Sequence, residues 1–398
     1  MSGSSKKIGM LLEAEFPPDI RVENEALALS MAQYEVHIFA LTFEKRPVSE
    51  EWKPGVWVHR KPVPKKLFNK AHITILKWPF YRRMWQRFVL SQAVTPDAIH
   101  VHDLPLARAG YNLANRLKVP FVLDLHENYP AALGIWAHSR TRIGRLFLDL
   151  KSWRAYESEM VQKAGSVIVV VDEALERFKR ENLPLEKFRV ISNVLNLETF
   201  PAEPGDTEES SKNGFIISYV GGFGVHRGLE TVVQAMPQIL QKIPTAKLVL
   251  TGDGRNFSDL KNLSVELGVE NSVTFTGWLR FKESTQMIQN SDVCIIPHLS
   301  TEHTNTTVPH KLFQYMYLKK PVLVSSSPPL KRIVQEANSG LVFDAGNSAD
   351  FADKLVQMFE SGNLQKWGEN GHKAVLEKYN WKKESEKLIR IYRALLTG

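Results

Sequence analysis

Short runs of near-continuous apolar and β-branched residues alternate with longer segments of helical periodicity along the whole chain, and this alternation limits the fold more than any other feature. Strands joined by crossover helices lie parallel, and a parallel sheet covered by helices on both faces shows unbroken apolar runs in place of alternating ones. In the first half such runs fall at 6–14, 34–42, 98–103, 120–126, 166–172 and 188–193. The second half repeats the rhythm at 215–221, 246–252, 272–277, 292–297, 321–326 and 339–344. Two doubly wound α/β domains follow. Length agrees, because 398 residues exceed the roughly 250–300 at which a single core stops growing. The polar, turn-rich and aromatic-free stretch 201–214 reads as a linker between a domain over 1–200 and a second over 215–377. Residues 378–398 place Trp381, Leu388, Ile391, Tyr392 and Leu395 at helical spacing. They predict a terminal helix that either docks on the nearer domain or crosses back to the N-terminal one.

Composition removes several function classes. The one cysteine, Cys294, excludes an internal disulfide framework and a cysteine-based zinc or iron–sulfur site, and it suits a reducing compartment. The N-terminal residues lack the pattern of a signal peptide, and no stretch reaches the roughly 18 uncharged apolar residues of a membrane span. A cytoplasmic location is expected. Net charge is +8, and its source is local. Residues 61–92 carry eight basic side chains (Lys61, Lys65, Lys66, Lys70, Lys77, Arg82, Arg83 and Arg87) and no acid, whereas outside this window basic and acidic residues balance at 43 each. Phe68, Trp78, Phe80, Tyr81, Trp85 and Phe88 lie among these cations. The window is either a solvated helix–loop face or a docking surface for an anionic membrane, where basic side chains and aromatic rings both bind. Nucleic acid is set aside, since no recognition module is present.

Ligands of open α/β sheets bind beyond the carboxyl ends of the strands, and four such loops stand out. After the strand at 215–221, Gly222 and Gly224 let backbone amides approach an anion, and Arg227 precedes a helix. Amides at a helix start beside a guanidinium make a phosphate site, although a plain tight turn reads the same. In the second loop Gly252 and Gly254 flank Asp253, again as a phosphate approach or a simple turn. The third carries Trp278 and Leu279, where the indole either stacks on a base or closes the core edge. The fourth, 297–326, holds Thr304, Asn305, Thr306 and Thr307 ahead of Pro309, with His298 and His310 flanking it as ligand groups or as core and capping histidines. In the helix that follows, Lys311 and Gln314 share a face, so a cation suited to a diphosphate sits one turn before an amide suited to ribose hydroxyls.

These segments carry a resemblance that covers nearly the whole chain. PHKLFQYMYLKKPV (309–322), YVGGFGVHRGLETV (219–232), LVLTGDG (248–254), VTFTGWL (273–279), DLHENYP (124–130) and FPPDIRVENEALAL (16–29) resemble the GT-B retaining glycosyltransferases of family 4. The similarity is greatest to a bacterial subgroup with a PHKLFEYM-like motif. The resemblance implies two Rossmann-like domains facing a cleft. The C-terminal one would bind a nucleotide-diphosphate sugar, and the N-terminal one a glycan or polyprenyl-linked acceptor of cell-surface polysaccharide synthesis. The enzyme would then work at the inner face of the membrane.

Carried over residue by residue, Arg227 and Lys311 would hold the donor diphosphate, Gln314 would take the ribose, and His126 would lie beside the donor sugar. The loop around Asp19 and Arg21 would close over the reacting centre. Glu127, next to His126, is a candidate acid or base. The sequence departs from the family in three places. Thr306 and Gln314 stand where a pair of glutamates is usual, Gly222 replaces a second diphosphate arginine, and Glu13 to Phe16 replace a glycine pair. A nucleotide-sugar-binding homologue without turnover and a GT-B epimerase are the alternatives. No Asp-x-Asp pair occurs in the chain, so the expected reaction is metal-independent and needs no cofactor.

Overall fold

A computed structural model describes residues 5–65, 79–135, 149–200 and 214–396. The chain forms two compact units. One comprises the residues up to Ser192 together with those from Lys382 on, and the other runs Asn193–Trp381.

The first unit is built on an eight-stranded sheet of order β3-β4-β2-β1-β5-β6-β7-β8. Its strands are β1 Lys7–Glu15, β2 Glu35–Thr42, β3 Ser49–Lys53, β4 Val56–Pro62, β5 Ala98–His102, β6 Phe121–Leu125, β7 Ser166–Val169 and β8 Phe188–Val190. All neighbouring pairs are parallel except β3 with β4. Burial explains the parallel part: β5, β6 and β7 are buried at every position, as strands covered on both faces must be. The β3–β4 hairpin has no counterpart among the sequence-derived strands. Ser49–Lys53 alternates exposed with half-buried residues, as an edge strand does, and supplies no apolar run to recognise.

The runs at 166–172 and 188–193 are longer than the strands they contain. Val170 and Val171 stay buried beyond β7, but the chain has already turned toward the helix Glu173–Arg180. Apolarity there reports core packing and not ladder pairing.

The second unit holds a six-stranded, all-parallel sheet of order β11-β10-β9-β12-β13-β14. These strands are β9 Phe215–Val220, β10 Ala246–Thr251, β11 Val273–Gly277, β12 Val293–Ile296, β13 Val322–Ser325 and β14 Gly340–Phe343. Its core joins Ile217, Tyr219, Leu248, Leu250 and Ile295 of the sheet to Val232, Val233 and Met236 of the helix Leu229–Lys242 and to Phe351 and Leu355 of Ser348–Glu360.

The division behind β8 moves the sequence-derived boundary. Residues 193–200 belong to the second unit, where Phe200 packs edge-on against Phe281 and Tyr317 at 5.5 and 5.6 Å. Of the segment read as a linker, 201–213 lies outside the described residues. At the other end the helix Trp381–Leu396 returns to the first unit. Leu388, Ile391 and Tyr392 are buried, the Tyr392 hydroxyl meets His100 Nδ1 at 2.6 Å, and Glu384 accepts from the Ser192 amide.

In both sheets the strand order reverses beside the first strand of the unit, between β1 and β5 and between β9 and β12. Such reversal points are where open α/β sheets bind ligands, beyond the carboxyl ends of the strands. Asp19 and Arg21 follow β1, Gly222, Gly224 and Arg227 follow β9, and Thr306, Thr307, Lys311 and Gln314 follow β12, whereas His126 and Glu127 follow β6 and the remaining candidates follow β10 and β11.

Candidate functional site

In the first unit the reversal point is filled with charge. Asp124, wholly buried on β6, accepts Arg21 Nε at 2.9 Å and Nη2 at 2.8 Å, and it meets His126 Nε2 at 3.0 Å. Arg21 also donates Nη1 to the Ile191 carbonyl at 3.0 Å and reaches Glu25 Oε1 at 3.1 Å. Such a bidentate guanidinium–carboxylate pair is the arrangement that tolerates burial best. His100 and His102 stand on one face of β5, two apart, with rings stacked at 4.4 Å, and His102 Nδ1 lies 3.4 Å from Asp124. Asp103 closes the network: its Oδ1 accepts the His126 amide at 3.2 Å and its Oδ2 lies 3.4 Å from His126 Nδ1. Asp103 adopts φ of +65°, a left-handed backbone that strains a non-glycine residue by about 1–3 kcal/mol and clusters at functional sites.

The charges in this cluster set one another. Burial would raise the Asp124 carboxyl, but Arg21 and His126 outweigh it and hold Asp124 well below its ordinary value. Burial likewise opposes a charge on His126, yet Asp103 and Asp124 prevail and push it up to about 10. His126 is therefore an imidazolium at neutral pH, with its side chain 18% exposed. It can donate a hydrogen bond but has no lone pair with which to accept a proton. Glu25, raised by burial and by Asp124 to about 8, keeps its proton. Burial lowers both His100 and His102, which remain neutral.

Ligand atoms of Glu25, His100, His102 and Asp124 lie within 4.8 Å of one another, a spacing that invites a metal ion. The Arg21 guanidinium already stands 3.1 Å from Glu25 and 2.8 Å from Asp124, where a divalent cation would have to go. The donor set fits an internal ion-pair network better than a metal centre.

Arg21 and Asp19 therefore sit differently from the expected closing loop. Asp19 is the N-cap of the helix Ile20–Met31, accepting the Val22 amide at 3.1 Å, and Arg21 is a buried member of that helix. Glu127 follows His126 half-buried.

In the second unit the reversal point carries cations, for which no carboxylate partner is found among the described residues. Gly221, with φ of +141°, lies where any Cβ would be 2.3 Å from Lys311 Nζ, so its missing side chain makes the space the ammonium fills. Lys311 Nζ is buried, has no hydrogen-bond partner and stands 3.7 Å from the centre of the Tyr219 ring. Burial, with Arg227 beside it, lowers Lys311 well below its usual value. Arg227 ends the 3₁₀ turn Val225–Arg227 and donates Nη1 to His298 Nε2 at 2.9 Å. His226 and His303 complete the group, their ring centres 5.8 Å apart. Each is lowered to about 4 by burial and by Arg227.

The glycine-rich turn itself differs in detail from its sequence reading. Gly228, in the left-handed conformation, caps the helix that starts at Leu229. The amides of Phe223, Arg227 and Gly228 bond to Asp253, Gly224 and Val225 carbonyls, so only part of the expected amide ribbon faces outward. A Cβ on Gly222 would make only an ordinary van der Waals contact, 3.9 Å from the Asp253 carbonyl oxygen. Gly252 and Gly254 fit against this turn: a Cβ on either would meet the Gly221 carbonyl or the Phe223 backbone.

Thr306 donates its hydroxyl to the Glu302 carbonyl at 2.9 Å, Thr307 is half-buried, and Gln314 is half-buried on the helix His310–Tyr317 that carries Lys311. Trp278 is 66% exposed beyond β11, so it does not close the core edge; Leu279 beside it is half-buried.

Sequence reasoning did not single out Glu25, His100, His102, Asp103, Asp124, His226 or His303. The signal for the first group was polar residues at period two inside runs otherwise fit for burial, in IHVHD (99–103) and LDLH (123–126).

A family model for the glycosyl transferase 4-like domain matches residues 18–194, and one for the glycosyl transferases group 1 matches 206–374. An uncharacterized glycosyltransferase of Methanocaldococcus jannaschii is 26% identical over 341 residues, covering 81% of this chain and 82% of its own. Among solved structures, sucrose-phosphate synthase from Thermosynechococcus elongatus superposes with a TM-score of 0.78 at 19% identity, over 98% of this chain and 99% of that one. The UDP complex of HepE from Anabaena gives 0.71 at 13% identity, over 98% and 100%. The two parallel-sheet α/β units have the GT-B fold of these neighbours.

Proposed function

We propose, from the premise that this chain carries a glycosyl transferase 4-like domain followed by a glycosyl transferases group 1 domain, that it moves a hexose-type sugar from a nucleotide-diphosphate sugar to a glycan or polyprenyl-linked acceptor with retention and without a metal ion. The reading rests chiefly on Arg227 and Lys311: two cations at the reversal point of the second sheet, one of them buried with no partner, in a group whose electrostatic neighbours are themselves cations or imidazoles. A buried charge is costly until it is paired, and a diphosphate supplies that pairing. The UDP found in HepE is such a ligand.

In this reading Arg227 and Lys311 bind the diphosphate and stabilise the charge it gains as the bond to the sugar's anomeric carbon breaks. The acceptor hydroxyl attacks the same face, and its proton passes to the departing phosphate oxygen, so no side-chain base is required. His126, charged and half-open, donates a hydrogen bond that orients the donor sugar. Gln314 serves the ribose as a neutral amide, Trp278 offers an exposed face for the base, and Thr306 and Thr307 border the sugar phosphate. Glu127 stays the candidate acid or base beside His126.

The acceptor would be met at the inner membrane face through residues 61–92. Of that window 66–78, with Lys66, Phe68, Lys70, Lys77 and Trp78, lies outside the described residues. The helix Pro79–Leu90 buries Tyr81, Trp85 and Phe88 and exposes Phe80, Arg83 and Arg87. Three of the aromatic rings are thus committed to the core, and attachment would be mainly electrostatic. No helix among the described residues is long and apolar enough to cross a membrane.

Thermal stabilisation by UDP, GDP or ADP at millimolar concentration, followed by release of free sugar from the matching donor in the presence of a chelator, is the expected outcome. Binding without hydrolysis or transfer would favour a sugar-nucleotide-binding homologue. Activity that a chelator abolishes and Mg²⁺ or Mn²⁺ restores would overturn metal independence.

A further inference from the structure

We propose that His298 is a positioning residue for Arg227, a neutral acceptor that fixes the guanidinium without cancelling its charge. The inference rests on the reading of Arg227 as a diphosphate ligand.

Three contacts latch the loop after β9 to the loop after β12. The Leu299 amide donates to the His226 carbonyl at 3.0 Å, a Cβ on Gly228 would fall 1.9 Å from the Pro297 carbonyl oxygen, and Arg227 Nη1 meets His298 Nε2 at 2.9 Å. The first two bring the backbones together, and the third fixes a side chain. A guanidinium can only donate, so His298 Nε2 must accept, which places the imidazole proton on Nδ1 and leaves the ring uncharged. The surroundings enforce that state: His298 is 1% exposed, and among the described residues the charged and titratable groups that act on it most are Arg227, Lys311, His226 and His303.

The choice of residue type has a physical consequence. An arginine on a short turn loses much rotamer freedom when it binds, and a fixed partner removes part of that cost beforehand. An aspartate or glutamate would hold the guanidinium more firmly but would neutralise it and compete with the incoming phosphates. A neutral imidazole supplies orientation and keeps the full charge for the ligand.

The test is a series at position 298, with inorganic pyrophosphate and UDP as calorimetric probes. His298→Leu should weaken pyrophosphate binding about three- to tenfold, the scale of immobilising one long side chain at binding. His298→Gln, whose carbonyl can reach the Nε2 position, should stay within about twofold of the parent. His298→Glu should lose at least about tenfold while melting no lower than the parent. In an Arg227→Met background the His298→Leu effect should vanish, which a purely structural role would not produce. Parent-like binding by His298→Leu or by His298→Glu, a Gln variant as weak as the Leu variant, or an undiminished effect without Arg227 would each overturn the proposal. Arg227→Met alone separates the two ideas: unchanged pyrophosphate and UDP affinity there defeats the diphosphate reading itself, whereas a loss there with an inert position 298 defeats only this inference.

Discussion

Asp124→Asn is the substitution that most directly tests the electrostatic account of the first unit. The change is nearly isosteric, so packing is preserved while the charge is removed and one of the two acceptor oxygens becomes an NH2 donor. In the native protein the carboxylate accepts two hydrogen bonds from Arg21 and faces His126 Nε2 at 3.0 Å, wholly out of water. The amide leaves both cations with reduced compensation in a buried site. Removing one partner of a buried ion pair costs about 3–5 kcal/mol. For a unit of roughly two hundred residues each kcal/mol corresponds to about 2–4 °C, so the melting temperature should fall by about 10 °C. Differential scanning calorimetry reads that shift. Imidazole titration by NMR supplies an independent readout, because His126, held at about 10 by Asp103 and Asp124 against burial, should move down when one of the two carboxylates is gone. A melting temperature within about 2 °C of the parent, together with an unmoved His126, would refute the claim that Asp124 anchors these charges.

Lys311→Met should strengthen the unliganded protein while destroying the proposed anion site: an amine buried without a partner is replaced by an apolar chain, a gain of about 1–3 kcal/mol, and pyrophosphate affinity measured by calorimetry should drop at least tenfold. Gly228→Ala should destabilise the second unit by about 2 kcal/mol or more in urea unfolding, because the residue has φ of +68° and its Cβ would meet the Pro297 carbonyl oxygen at 1.9 Å. Stability of the first unit should decline as pH rises from about 6.5 to 10. His126, raised from 6.5 to about 10, contributes fully below 6.5 and loses its contribution through 10, and Glu25, raised from 4.5 to about 8, loses its contribution through 8. Hydrogen exchange of β5 and β6 amides, corrected for intrinsic rates, would show protection falling across that interval; constant protection would contradict both assignments.

The sequence was legible where structure depends on neighbours in the chain. Twelve strands of the two sheets followed from apolar runs. The turn holding Arg227 and the helix start holding Lys311 followed from glycines, a proline and their spacing. What escaped was structure set by tertiary partners. The β3–β4 hairpin has too few apolar residues to signal itself. The buried cluster draws on the helix after β1, on β5, on β6 and on Tyr392, which lies 292 positions from the histidine it touches. The period-two histidines of IHVHD mark polar positions inside a buried run, but nothing local names the groups that His100 meets. Arg21 illustrates the same limit. As one position in a loop motif it read as a group at the reacting centre, but the fold commits its guanidinium to Asp124, Glu25 and the Ile191 carbonyl.

Two reversal points with the same topology thus carry opposite electrostatic logic. Around β1 and β5 carboxylates and cations stand within 4 Å of one another, and the one acid in excess of comfortable pairing, Glu25, is neutralised by retaining its proton. That set is complete inside its own unit, with both ring nitrogens of His126 facing carboxylates. Around β9 and β12, among the described residues, Arg227 meets the His298 imidazole and Lys311 the Tyr219 ring, both of them neutral. A neutral acceptor can orient a guanidinium and a π face can soften the burial of an ammonium, but neither cancels charge. In the proposed reading an anion bound there would complete this second set, and a diphosphate, with charge spread over two adjacent groups, would match a cation on the turn after β9 and one on the helix His310–Tyr317 better than any single carboxylate could.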